Sequence, residues 1–305
     1  MERNIAFLDI LGFSNHVYSD LIGTKRILQD INELIAVNVL DGIDKGKISD
    51  ENLYKDLENY TFNAIDFILP VSDCIFLGSE NLNLMIEQIS TFLCRILEMT
   101  LRDFENNYYQ GTFPIIMRGG ISCGEIEKID SSFYIDKKPG TFFNIIGKPV
   151  VEAVRLEEEI HGGGPNLFLT ADTVTKLSKD LQKFVSTKHY TNNIGTVSCF
   201  LWPRYFFIKG NLGNDFSSGF SSTCERNLKP IINLYFKYKN EKYAEYYKNL
   251  ACITIEAFSK VYLLTSEERQ QENKKKSQEI LKEVINEVIL EQSPEREVFY
   301  QSIFE

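Results

Sequence analysis

The amino-acid sequence predicts an α+β protein whose first part runs β-α-β-β-α-β and whose last part is helical. Three observations predict it. Residues 5 to 9, "IAFLD", form a short apolar run closed by a carboxylate, which fits a buried strand with Asp9 at its tip. From Leu82 to Phe104, the positions Leu82, Met85, Ile86, Ile89, Leu93, Ile96 and Leu97 recur at helical spacing and mark a long amphipathic helix. Near the C-terminus, "SEERQQENKKKSQEILKEVINEVILEQ" reads as a charged helix with a narrow apolar stripe.

The elements between these follow in order. After the first strand comes the loop "ILGFS", then "TKRILQDINELIAVNVL", where Ile27, Leu28, Ile31, Leu34 and Ile35 keep the helical period. "AIDFILPV" and "CIFLG" read as two strands joined by a tight turn around Ser72 and Asp73. Pro70 has no N–H for a ladder, so the first of the pair belongs at an edge or is interrupted. "PIIMRGGISCG" supplies a further strand after the long helix. The resulting order is a split βαβ of ferredoxin-like topology, which many unrelated activities share. Past residue 160, "HGGGPNLFLTADTVTKL" reads as loop, strand and helix, and "VSCFLWPRYFFIKGN" as paired strands. Beyond about Cys224 the chain reads as helical, with Lys274, Lys275 and Lys276 on a solvated face.

Charge narrows the partners. Lys and Arg total 33 against 43 Asp and Glu, a net charge of −10 over 305 residues. The protein as a whole repels a phosphate backbone and has no broad basic footprint for nucleic acid. A polyanionic small molecule would need a local cluster of cations or metals. The start, "MERNIAFLDILGF", is too short in apolar length and wrongly flanked for a signal peptide, and no run reaches membrane-spanning length. The expectation is a cytoplasmic protein with neither nucleic-acid nor membrane partners. Cys74, Cys94, Cys123, Cys199, Cys224 and Cys252 form no C-x-x-C pair and read as buried thiols in a reducing compartment. His16, His161 and His189 read as surface or loop residues without a chemical role.

Two carboxylates carry the chemical signal. Asp9 ends the first strand and Asp73 sits in the hairpin turn, so adjacent strands of a split βαβ sheet could bring them together. Paired carboxylates with open coordination positions suit a hard cation such as magnesium or manganese carrying a phosphate. Taken singly, each has a plain structural reading, Asp73 as a turn former and Asp9 as a strand-end cap. Between them, "DILGFS" sets Gly12, Phe13 and Ser14 before a helix, where free backbone N–H groups can hold phosphate oxygens. The G-x-x-x-x-G-K-[ST] phosphate loop is absent. One helical turn separates Val151 from Arg155, which places an apolar and a cationic side chain on one face.

"FLDILGFS", "VSDCIFLG", "IMRGGISCGEI" and "NIIGKPVVEAVRLEE" together resemble, in order and spacing, the segments that define class III nucleotidyl cyclase catalytic domains. The resemblance runs from about residue 3 to 215. It implies a ferredoxin-like class III cyclase fold over 1–215 with a helical C-terminal extension over 216–305. It implies two divalent cations, Mn2+ or Mg2+, on Asp9, Asp73 and the Ile10 carbonyl, with Arg118 contacting phosphate and Arg155 stabilising the pentavalent transition state. In that family the aspartates and the arginine come from opposite subunits, so a head-to-tail homodimer is implied. Lys209, in "FIKGN", falls near the family's phosphate-binding lysine.

The departures from the family pattern concern the base and ribose. Leu69 stands four residues before Asp73, where purine cyclases carry Lys or Glu, Asn144 stands where adenylate cyclases carry Asp, and Val151 replaces the ribose-contacting Asn. A pocket without those charged groups loses the means to read a purine edge, and Asn144 can donate or accept toward a pyrimidine. The set is similar to the pyrimidine cyclases of bacterial Pycsar anti-phage systems. That resemblance implies UTP, or else CTP, as substrate and a cyclic nucleotide that signals to a separate effector. A degenerate cyclase fold that binds a nucleotide without turnover remains as an alternative. A diguanylate cyclase would need a G-G-[DE]-E-F turn where this chain has "VSDCI".

Overall fold

The first strand, β1 (Glu2–Ile10), is the spine of the fold. Ile5 and Phe7 point to one face and Ala6, Leu8 and Ile10 to the other, and all five are buried. The structure is a computed structural model and describes residues 1–35, 43–44, 61–105, 114–135, 138–158, 164–190, 195–207, 215–241 and 244–292.

After β1 come α1 (Phe13–Ser19) and α2 (Leu21–Ile35), then a two-residue pair, β2 (Ile43–Asp44) with β3 (Thr61–Phe62). The hairpin β4 (Phe67–Val71) and β5 (Cys74–Ser79) leads to α3 (Leu82–Glu105) and to the long strand β6 (Met117–Ile135). β7 (Lys138–Gly147), α4 (Lys148–Glu158), β8 (Leu167–Leu169), α5 (Ala171–Lys176), α6 (Lys179–Gln182), β9 (Val185–Tyr190) and β10 (Gly195–Phe200) complete the α+β part.

The main sheet runs β4-β5-β1-β6-β8-β10-β9, with β7 paired to the far half of β6. Its first four strands are antiparallel and take the ferredoxin-like order, so the architecture expected from the sequence is the one observed. β4 is the terminal strand, in keeping with Pro70. The β6–β8 pair is parallel.

The two faces of the sheet are covered unequally. One carries α2 and α3, whose stripes of Ile27, Ile31, Met85, Ile86, Ile89, Phe92, Leu93, Ile96 and Leu97 join Ala6, Leu8, Ile10 and Leu77 in one core. Each such side chain contributes about 1.5–3 kcal/mol on burial. The other face carries α4 over a small cluster of Ile5, Phe7, Ile126 and Ala153.

"WPRYF" departs from the expected paired strands. β10 does pair, with β8 and β9, but Trp202–Phe206 is a 3-10 helix. Pro203, without an N–H, suits the opening of a helix and not a ladder. Long-range contacts hold it: the Trp202 Nε1–H donates to the Pro165 carbonyl at 2.8 Å, and Arg204 Nη2 pairs with Glu87 Oε1 at 3.0 Å. The Arg204 guanidinium also lies over the rings of Phe184 and Tyr205, which compensates part of the cost of burying its charge.

Beyond it, α7 (Phe216–Thr223) continues through a π turn into α8 (Lys229–Tyr238), followed by α9 (Ala244–Ser259) and α10 (Glu267–Gln292). These helices share the α3-side core, where the rings of Phe206, Phe207, Phe220 and Phe258 meet edge-on or stacked. α10 shows only a narrow buried stripe ending in Leu281, Val284, Ile285 and Val288; of the expected solvated lysines, Lys274 and Lys275 are exposed and Lys276 is partly buried. No described helix is long and apolar enough to cross a membrane.

Candidate active site

At the end of β1 two turns bring carboxylates together. Gly12, with φ 79°, takes the left-handed backbone that glycine adopts without a Cβ penalty, and so turns the chain from strand into α1. Beside it, Ser72 and Asp73 form the two-residue loop of the β4–β5 hairpin, with Ser72 also at positive φ. The Ile10 N–H donates to the Asp73 backbone carbonyl at 3.3 Å and fastens the hairpin turn to the strand end. Ligand atoms of Asp9, Asp73 and Cys74 then lie within 4.8 Å of one another.

The electrostatics of this cluster follow from partial burial. Burial raises the Asp9 carboxyl above the usual range, against the lowering effects of the Cys74 hydrogen bond and Arg118, while Asp73 pushes it further up. The Cys74 thiol donates to Asp9 Oδ1 at 3.3 Å. Burial and the neighbouring Asp9 charge raise that thiol well above its ordinary value, which fits its part as the S–H donor to Asp9. Two of the three candidate donors are carboxylates from adjacent strand ends. That is the hard-oxygen set Mg2+ or Mn2+ takes, and a poor match to a thiophilic metal.

Strand register supplies the cation. Arg118 on β6 stands directly opposite Asp9, with Nη2 3.6 Å from Asp9 Oδ2. Its Nε meets Glu157, a residue not anticipated from the sequence. On α4 the side chains turned to the sheet are Pro149, Ala153 and Glu157, spaced four apart, so the buried stripe ends in a carboxylate. Glycine makes that close approach possible, because a Cβ on Gly120 would lie 2.2 Å from the Ala153 carbonyl oxygen. Glu157 is 4% exposed, and burial pushes its carboxyl up to about 7 against the lowering pull of Arg118. The i, i+4, i+8 spacing of 149, 153 and 157 was the available signal for this residue.

The other expected site residues are dispersed. The Phe13 ring lies in the core, which leaves its backbone for any ligand. Leu69 sits half-buried on the edge strand β4, in register with Phe76. Asn144 is exposed on β7, on the opposite side of the strand from Phe143 and Ile145. The Phe143 ring meets Phe67 edge-on at 5.6 Å, and Ile145 packs toward Ile5 and Phe7. Val151 and Arg155 do share an exposed face of α4, and Arg155 forms no ion pair among the described residues. Neither touches the carboxylate cluster of its own chain. Lys209 and His161 lie outside the described residues.

Two smaller expectations need correction. Cys94, Cys123, Cys199 and Cys224 are buried, but Cys74 and Cys252 are only partly so, and Cys74 belongs to the carboxylate cluster. His16 is half-buried in α1, not a surface residue, and burial lowers its imidazole to about 4 against the raising effect of Asp20.

No protein-family profile matches the chain, and no curated protein matches its sequence. Among solved structures it is similar to an adenylate cyclase from Trypanosoma brucei in its monomeric state, at 14% identity over 65% of this chain and 88% of that one, with a TM-score of 0.41. It is similar to the guanylyl cyclase Cya2 at 14% identity over 66% and 90% of the two chains, TM-score 0.40. A bacterial light-regulated adenylyl cyclase matches at 15% identity over 73% and 97%, TM-score 0.41. These similarities concern architecture and not chemistry.

Proposed function

We propose that this chain is a nucleotidyl cyclase that converts a pyrimidine nucleoside triphosphate, UTP ahead of CTP, to its 3′,5′-cyclic monophosphate and pyrophosphate. The observation that carries the reading is the convergence of Asp9, Asp73 and Arg118 at one end of the central strand. The four motifs quoted above also support it, since the aspartates and Arg118 that meet in space are those that fall on the motif positions.

Asp9 and Asp73, with the Ile10 carbonyl, would hold two divalent cations. When bound, these would lower the pKa of the ribose 3′-hydroxyl and neutralise the triphosphate. The hydroxyl attacks the α-phosphorus in line and pyrophosphate leaves, so the protein's task is positioning and charge stabilisation. The backbone around Gly12 and Phe13 faces phosphate oxygens, and Lys209 is the candidate triphosphate lysine. Arg155 supplies positive charge to the phosphoryl group in the partner subunit's site. Its exposure without an ion pair among the described residues supports that role. Val151, a large exposed apolar side chain on the same face of α4 as Arg155, supports a second copy of the chain covering this helix in a head-to-tail homodimer.

Base choice rests on Leu69 and Asn144, and ribose contact on Val151. None offers the charge that reads a purine edge, and the Asn144 amide suits uracil or cytosine. Residues 1–215 would form the catalytic unit and 216–305 a C-terminal extension, of which the described helices α7 to α10 share its core. We place the enzyme in the cytoplasm, where its product acts as an alarm signal to a separate effector in anti-phage defence.

Incubation with each of the four nucleoside triphosphates and Mn2+, with products resolved by mass, tests the reading. Cyclic UMP is expected as the main product. Absence of any 3′,5′-cyclic product would sink the enzyme reading, and a main product of cyclic AMP would sink pyrimidine preference. Asp9→Ala and Arg155→Ala chains should each lose about 1,000-fold or more of turnover, as loss of a transition-state arginine does. Mixing the two should restore activity through hybrid dimers, and no rescue despite subunit exchange would count against the shared site.

A further inference from the structure

The Arg118–Glu157 contact has consequences for Asp9. Arg118 stands beside a carboxylate proposed to bind a cation, and a guanidinium resting on that carboxylate competes with the metal for the same oxygens. The geometry resolves the competition. Arg118 Nε is engaged by Glu157, while Nη2 stays 3.6 Å from Asp9 Oδ2, beyond hydrogen-bonding distance. The other Asp9 oxygen receives the Cys74 thiol, a weak donor, at 3.3 Å, and the Glu157 carboxyl lies close enough to act on Asp9 as well.

We infer that Glu157 is a positioning residue for the cation site. It draws the Arg118 guanidinium onto itself and leaves Asp9 free to ligate. Three features of the fold place it there: the sheet-facing stripe Pro149, Ala153 and Glu157, the close approach allowed at Gly120, and the burial that keeps water from taking its part. Glu157 is not itself a ligand of substrate or metal; its carboxyl also faces Asp9, and its effect on the cation site runs through Arg118. Because Glu157 and Arg155 lie two residues apart on α4, one helix would serve its own chain's cation site and, by Arg155, the partner's. The inference rests on the proposed cation role of Asp9 and Asp73.

The test is binding of Mn2+ alone, without nucleotide, followed by electron paramagnetic resonance on the full chain, with folding monitored by circular dichroism. Glu157→Gln should bind Mn2+ about 10- to 100-fold more weakly, the range found when outer partners of metal ligands are removed. Adding Arg118→Gln to Glu157→Gln removes the competing cation and should return the affinity to within a few-fold of the unaltered chain. A residue that only braces the fold would not show that recovery.

Unchanged Mn2+ affinity in Glu157→Gln, or a double variant that binds no better than the single one, overturns the inference and leaves the proposed function standing. Absence of Mn2+ binding by the unaltered chain, or binding that survives Asp9→Asn, overturns both. Should Glu157→Gln fail to fold, Glu157→Asp keeps the charge but withdraws it by one methylene. It should show a smaller loss of the same sign, and full affinity there overturns the inference.

Discussion

The two faces of the central sheet solve different problems with the same backbone. Toward α3 the central side chains of β1 are apolar, and Ala6, Leu8 and Ile10 enter a core that runs on into the C-terminal helices, while Asn4 at the strand start bonds to the Ser79 and Glu80 carbonyls. Toward α4 the same strand offers Ile5 and Phe7 and then Asp9, and the covering helix mirrors it with Ala153 followed by Glu157. Apolar packing is non-directional and tolerates exchange of one hydrophobe for another of similar volume. Charged groups at partial burial need their partners within a few tenths of an ångström, and the α4 face uses small residues, Gly120 and Ala153, to set that distance.

The contrast can be broken by mutation. The largest effect is expected on the α3 side, where Phe92→Ala should cost about 3–5 kcal/mol in urea unfolding. Val151→Ala, at a side chain 49% exposed on the α4 side, should change stability by no more than about 0.5 kcal/mol. Comparable losses for the two would deny the asymmetry between the faces.

A smaller effect sharpens the α4 side. Gly120→Ala forces a Cβ against the Ala153 carbonyl and must lift α4, so a loss of about 1–3 kcal/mol is expected. Turnover should fall further than stability alone explains, because Glu157 moves away from Arg118. Stability and activity equal to those of the unaltered chain would show that α4 does not need this contact.

The smallest effect is a pH slope. His16 has its imidazole lowered to about 4 by burial, below its value of 6.5 in the unfolded chain. Between these values the unfolded state binds more protons, so the contribution of His16 is present above pH 6.5 and is lost as pH falls toward 4. The difference in melting temperature between the unaltered chain and His16→Gln should therefore change over that interval and level off outside it. A constant difference would place His16 in solvent.

Periodicity was enough wherever burial alone decides structure. α3 follows the spacing of Leu82 to Leu97, α10 coincides with its charged stripe, and Pro70 marks the sheet edge. It misled at "WPRYF", where aromatic residues after a strand read as more strand. There a proline at the helix start, the Trp202 bond to Pro165 and the Arg204–Glu87 pair override local preference. Within the candidate site, Asp9, Asp73 and Arg118 were legible because motif spacing names them. Glu157 carried only the weak signal of its spacing from Pro149 and Ala153, and the packed helix is what sets it, among its sequence neighbours Leu156, Glu158 and Glu159, against the sheet.

By itself, then, the sequence determined the order of elements, the helix and strand periods and the residue types able to hold a cation, because these depend on neighbours along the chain. Tertiary structure alone decided which groups meet. The register of β1 against β6 sets Arg118 opposite Asp9, the hairpin turn carries Asp73 to the strand end, and the approach of α4 over Gly120 delivers Glu157 to Arg118. Electrostatic attraction at these distances changes steeply with separation and burial, and neither quantity exists until the elements have packed.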